Sequence, residues 1–90
     1  MEQKVKALFA WTEEGHDTAV HIAGLYRQGG MEVFLHGVAE AEELIAIGEK
    51  HGMTHVLYFL DGEKLKLVSL ADEMGGFTVD VLVEDLILPR

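Results

Sequence analysis

Val56-Leu57-Tyr58-Phe59-Leu60 is an unbroken run of β-branched, aromatic and aliphatic residues, the pattern of a strand buried on both faces. Asp61-Gly62 follows directly, and a DG pair between two apolar runs predicts a hairpin. The returning limb alternates, with Leu65, Leu67 and Ser69 on one side and Lys64, Lys66, Val68 and Leu70 on the other. An isolated hairpin is marginal in water, so other elements must cover this one.

The flanking chain supplies them. Lys4 to Trp11 begins with polar alternation and turns apolar, as a first strand entering a sheet does. Thr12-Glu13-Glu14-Gly15 is an acidic break whose threonine suits a helix cap and whose carboxylates suit the positive end of a helix dipole. From His16 to Gln28, Ala19, Ile22, Ala23 and Tyr26 fall at helical spacing, with Val20 and Leu25 widening the stripe. Gly29-Gly30 ends that helix. Met31 to His36 predicts a second strand and Gly37 the turn after it. Val38, Ala41, Leu44, Ile45 and Gly48 form a second helical stripe, which Gly52 stops. Past the hairpin, residues 71 to 76 read as a loop and Phe77-Thr78-Val79 as a brief extended segment. Val81 to Leu88 fits a last helix capped by Asp80, with a continuing strand as the alternative. The order β-α-β-α-β-β, then a short strand and a helix, predicts an α/β fold. Its sheet is mainly parallel, with an antiparallel edge and helices against it.

The 90 residues suit one domain, 1–90, and 49% of them are apolar, enough for a single core. The chain has no cysteine, which removes disulfides, thiolate metal sites and cysteine nucleophiles and fits a reducing, cytoplasmic setting. No run reaches the roughly 18 to 20 apolar residues that cross a bilayer, and the N-terminus does not read as a signal peptide. Charge changes the picture most. Sixteen acids against seven bases give a formal net charge of -9, whereas nucleic-acid binding depends on cations displacing counterions from phosphates.

Candidate chemistry is sparse. His51 and His55 are four apart with Gly52 between them, and His16 and His21 are five apart; neither pair has a third ligand at motif spacing. The histidines read as surface or capping groups. The adjacent acids Glu13/Glu14, Glu42/Glu43, Asp72/Glu73 and Glu84/Asp85 point in different directions on a helix. No GxSxG, P-loop or GxGxxG pattern is present. Trp11, Tyr26, Tyr58 and Phe59 fall in the predicted core stripes rather than on a base-stacking platform. The expectation is a domain that is not an enzyme, with no catalytic, cofactor or metal residues.

Three stretches carry a family resemblance. They are the first strand running into Thr12-Glu13-Glu14 and a helix, the junction Gly29-Gly30-Met31-Glu32-Val33, and the run from Gly48 to Asp61 (GEKHGMTHVLYFLD). Together with Leu65 to Leu70 and Gly76 to Leu86, they resemble the C-terminal anticodon-binding domain of histidyl-tRNA synthetases over about the full chain. The resemblance implies a class IIa anticodon-binding-like fold, a mixed sheet of about five strands with about three helices. It equally implies paralogues that have lost tRNA charging, such as the regulatory subunit of the short-form ATP phosphoribosyltransferase of histidine biosynthesis. In either case the catalytic and histidine-binding motifs belong to another domain.

One departure separates these readings. In the synthetases the segment from the second strand through the second helix is typically rich in Lys and Arg, whereas Val38 to Lys50 here carries four glutamates against one lysine. Such a surface repels phosphate. The favoured expectation is an accessory or regulatory domain acting by protein or ligand binding within a larger assembly, with a protein partner or a parent multidomain chain. The alternative is an anticodon-binding domain that recognises tRNA(His). Its RNA contacts would be Lys4, Lys6, Arg27, Lys64 and Lys66, which cluster only if the first strand and the hairpin's return limb lie close together.

Overall fold

A computed structural model describes residues 6–70 and 77–86. Strand β1 (Lys6–Trp11) leads through a 3-10 turn (Glu13–Gly15) into helix α1 (His16–Gln28). Strand β2 (Glu32–Val38), a second 3-10 turn (Ala41–Glu43) and helix α2 (Leu44–Lys50) follow. Strands β3 (His55–Phe59), β4 (Lys64–Ser69) and β5 (Phe77–Leu82) and the single turn of α3 (Val83–Leu86) complete the described chain.

The sheet order is β2-β1-β3-β4-β5, parallel from β2 to β3 and antiparallel beyond. Parallel crossovers are right-handed, so stepping outward from β1 to β2 and then back past β1 to β3 puts α1 and α2 on opposite faces. The core divides accordingly. Ala7, Phe9, Trp11, Leu57, Phe59 and Leu65 meet Ala19, Ile22 and Ala23 of α1. Leu8, Ala10, Val56, Tyr58 and Val68 meet Leu44 and the connecting Ala39 and Met53. This explains why Val56 to Phe59 is apolar without alternation: each strand face has a helix to cover it. Phe9, Ile22, Phe59 and Leu65 are fully buried, worth about 1.5–3 kcal/mol each. On the second face Gly48 lets α2 lie directly on Val56, where an added Cβ would stand 2.8 Å from Cγ2.

The α/β class, the five-stranded mixed sheet and the three helices agree with the sequence reading, and α1 has the expected limits. Three details differ. Gly37 lies inside β2 rather than after it, at a bulge: Leu35 pairs with Phe9 but Gly37 with Ala10, leaving His36 as the extra residue. Gly37's φ of 125° explains its residue type. Val38 therefore belongs to the strand and not to the second helical stripe.

The C-terminal segment also differs. Residues 77 to 82 are strand, and only Val83–Leu86 is helical. Asp80 caps nothing; it sits mid-strand opposite Lys66, whose Nζ reaches its Oδ1 at 3.1 Å. Alternating Thr78, Val79 and Val81 suit pairing with β4, and the helix begins where the Val83 N–H donates to the Glu63 carbonyl of the hairpin turn at 2.8 Å. That turn is held by Asp61, whose carboxylate accepts from the Glu63 and Lys64 N–H groups at 2.8 and 2.9 Å. The predicted loop at 71–76 and the helix beyond Leu86 lie outside the described residues.

Candidate functional site

Doubly wound sheets bind ligands outside the carboxyl ends of their strands, where successive connections diverge. Here that place lies between β1 and β3, and the chain itself fills it. The Thr12 N–H donates to the Phe59 carbonyl at 3.0 Å, and its Oγ1 donates to the Leu60 carbonyl at 2.7 Å. The same Oγ1 accepts from the Gly15 N–H at 3.3 Å. Gly15 is pressed so closely onto Phe59 that an added Cβ would collide with its carbonyl. The threonine expected to cap α1 instead caps the 3-10 turn before it and locks the two loops together.

Beside this seam, on the α2 face, is an acidic corner. The buried Tyr58 hydroxyl donates to the Ala39 carbonyl at 2.7 Å. Burial pushes its pKa up, and the charges of Glu40, Glu42 and Glu43 push it further in the same direction. Glu40 and Glu43 cap the 3-10 turn reciprocally, each side chain meeting the other's backbone N–H. They serve the local fold, and they also make this end of the sheet anionic.

The structure does not gather the sequence-predicted cations. Lys4 lies outside the described residues. Lys6 starts β1, with Glu32 opposite it in register. Arg27 is at the end of α1, its Nη2 donating to the Val33 carbonyl of β2 at 3.2 Å. Lys64 and Lys66 lie on β4, and Lys66 is committed to Asp80. β3 separates β1 from β4, a lateral gap of about 10 Å at ~4.8 Å per strand. Lys66 is level with Tyr58 and so with Ala10. Lys6, four residues back, is about 13 Å further along, or about 16 Å away in all. Lys64 and Lys66 come together; Lys6 and Arg27 do not join them.

The five histidines separate in an unforeseen way. His16 bonds its neighbour Asp17 at 3.0 Å and meets the Trp11 ring edge-on. His55 bonds Thr54 at 2.9 Å, and His21 is exposed on α1. His36 and His51, fifteen positions apart in sequence, come together with ring centroids 6.5 Å apart and planes inclined by 59°. They stand over a cleft of about 280 Å³ that is also lined by Lys6, Leu8, Phe34 and Met53. Sequence reasoning missed this pair because its spacing reflects the crossover through α2, not a local motif. The signal available was Phe34, an aromatic in a strand that proves to be the sheet's edge. No group of three or more His, Cys, Asp or Glu side chains suited to a metal is present among the described residues, and no described helix is long and apolar enough to cross a membrane.

No family model matches the sequence, and no curated protein matches it. Among solved structures, histidyl-tRNA synthetase from Nostoc sp. PCC 7120 is similar to this chain with a TM-score of 0.70 and 19% sequence identity. The match covers 93% of this chain and 21% of that one, so this chain spans about a fifth of the synthetase's length. At this identity the likeness is one of fold: an α/β domain with a mixed five-stranded sheet, similar to a part of a histidyl-tRNA synthetase.

Proposed function

We propose that this chain is a histidyl-tRNA synthetase-like accessory domain that acts by protein or ligand binding within a larger assembly. A regulatory role of the kind played in histidine biosynthesis by synthetase paralogues fits it best. Any catalysis would reside in another domain or subunit. The observation that carries this reading is the arrangement of charge. Glu40, Glu42 and Glu43 crowd one end of the α2 face, while Lys6, Arg27 and the Lys64/Lys66 pair are dispersed and partly committed to carbonyl or carboxylate partners. An anticodon stem brings several phosphates to one surface, and affinity there grows with the number of cations that meet them together.

The test is retention of tRNA(His) by the purified domain on filters, against an unrelated tRNA, at about 50 and 200 mM salt. The accessory reading expects neither tRNA to be held at either salt. Selective retention of tRNA(His) at low salt, lost when Lys6, Arg27, Lys64 and Lys66 are neutralised, would replace it with the anticodon-binding alternative.

A further inference from the structure

The cleft between β2 and the end of α2 is built from parts that are odd for a bare surface. His36 is the extra residue of the β2 bulge, a device that re-aims a side chain and recurs beside functional sites. Phe34, two residues earlier, leaves 46% of its surface exposed on the edge strand. His51 caps α2, its N–H donating to the Ile47 carbonyl at 3.2 Å, and Gly52 turns the chain there with φ 70°. Leu8 and Met53 are buried beneath. In a chain with sixteen acids, no carboxylate among the described residues lines this space, and the ionisable groups described there are Lys6, His36 and His51.

We propose that this cleft binds a small planar heteroaromatic ligand bearing one acidic group, its ring held between the imidazoles of His36 and His51. The inference rests on the ligand-binding form of the function given above. A ring inserted between two others needs two van der Waals spacings of roughly 3.5 Å, about 7 Å in all, and the imidazoles stand 6.5 Å apart. Their planes are inclined by 59°. Both side chains are exposed, and the torsion that turns an imidazole is broad and soft, so they can turn parallel and part slightly to admit a ring. Phe34 offers a third aromatic surface, and Lys6 a cation for the acidic group. The size of about 280 Å³ lies just under the usual range for drug-sized ligands and suits a mononucleotide. Glu32 opposite Lys6 and the net charge of -9 oppose a polyphosphate or an RNA strand. One acidic group is what this surface tolerates.

The experiment is an NMR titration of the chain with AMP and UMP, with ribose 5-phosphate, ATP and penta-adenylate as comparisons. At least one monophosphate is expected to give saturable shifts confined to Phe34, His36, His51, Met53 and their neighbours, with ribose 5-phosphate giving none. His36→Ala and His51→Ala are each expected to weaken binding roughly tenfold, the value of one lost stacking partner, while the Trp11 and Tyr58 signals stay in place as evidence of an intact fold. ATP and penta-adenylate are expected to bind no more tightly than the monophosphate. Absence of saturable shifts up to about 10 mM, equal shifts with ribose 5-phosphate, or full affinity in either histidine variant overturns the cleft proposal alone. Much tighter binding of penta-adenylate assigns the cleft to RNA and overturns the accessory reading with it.

Discussion

Gly15→Ala tests the seam between β1 and β3. The new Cβ would strike the Phe59 carbonyl oxygen and stand 2.7 Å from its carbon and 2.9 Å from the Phe59 Cβ. None of these atoms is the free end of a flexible side chain, so the backbone of one loop must retreat. Overpacking of this kind costs about 1–3 kcal/mol. Retreat also strains the Thr12 N–H to Phe59 hydrogen bond of 3.0 Å, worth about 1 kcal/mol, for a total of about 2–4 kcal/mol. A 90-residue domain has only some 5–13 kcal/mol to lose at ~0.05–0.15 kcal/mol per residue. At ~4–8 °C per kcal/mol, Tm should fall by roughly 8 to 30 °C. Urea and thermal unfolding, followed by Trp11 fluorescence and circular dichroism, measure this. Gly24→Ala is the control, because its Cβ would meet nothing within 4 Å on the exposed side of α1, and it should stabilise by about 0.5–1 kcal/mol. A Gly15→Ala domain within 0.5 kcal/mol of wild type would refute the close packing of these loops.

Further outcomes follow from the polar contacts. Tyr58→Phe removes the buried donor to the Ala39 carbonyl and should cost about 1–2 kcal/mol in urea unfolding. Burial and then the three glutamates raise the folded pKa of Tyr58 above its ordinary 10.0. Its contribution to stability is therefore fully present below about pH 10 and lost as pH rises through the folded value. The alkaline fall in stability should be shallower in Tyr58→Phe, leaving the part due to Tyr26, which burial also raises; an unchanged slope would contradict the assignment. Asp61 has the opposite sign: the N–H groups of Glu63 and then Lys64 lower its pKa from 3.8. Its contribution is present above about pH 4 and lost as pH falls through the folded value. Asp61→Asn, which keeps an acceptor oxygen, should flatten the acid limb of the stability profile while the hairpin persists. Breaking the exposed Lys66–Asp80 pair with Asp80→Ser should cost less than about 1 kcal/mol.

Much of this fold was legible because its signals are local. The α1 stripe, the glycines at 29 and 30, and the unbroken run at β3 each report a neighbourhood of a few residues. Local signals fail where tertiary pairing decides. Residues 81 to 88 carry helix and strand signals together, and β4 tips the first two of them into β5 through main-chain pairing and Lys66–Asp80. Gly37 reads as a turn because glycine marks turns and bulges alike. Two-residue alternation puts Lys64 and Lys66 together, but nothing local tells how far Lys6 lies from them. His36 and His51 meet only because one crossover ends where its preceding strand bulges.

An accessory role for this domain, as proposed, requires that its cations not gather phosphates. The salt dependence of its association with a fluorescent tRNA(His) anticodon stem-loop, read by anisotropy, measures this. Dispersed cations predict no measurable binding at physiological salt and, in dilute salt, a logarithmic slope no steeper than about −1 to −2, one or two phosphates neutralised at ~0.9 each. Tight association with a slope of about −4 or steeper would mean that the lysines and arginine act together on the phosphates, and would contradict the accessory role.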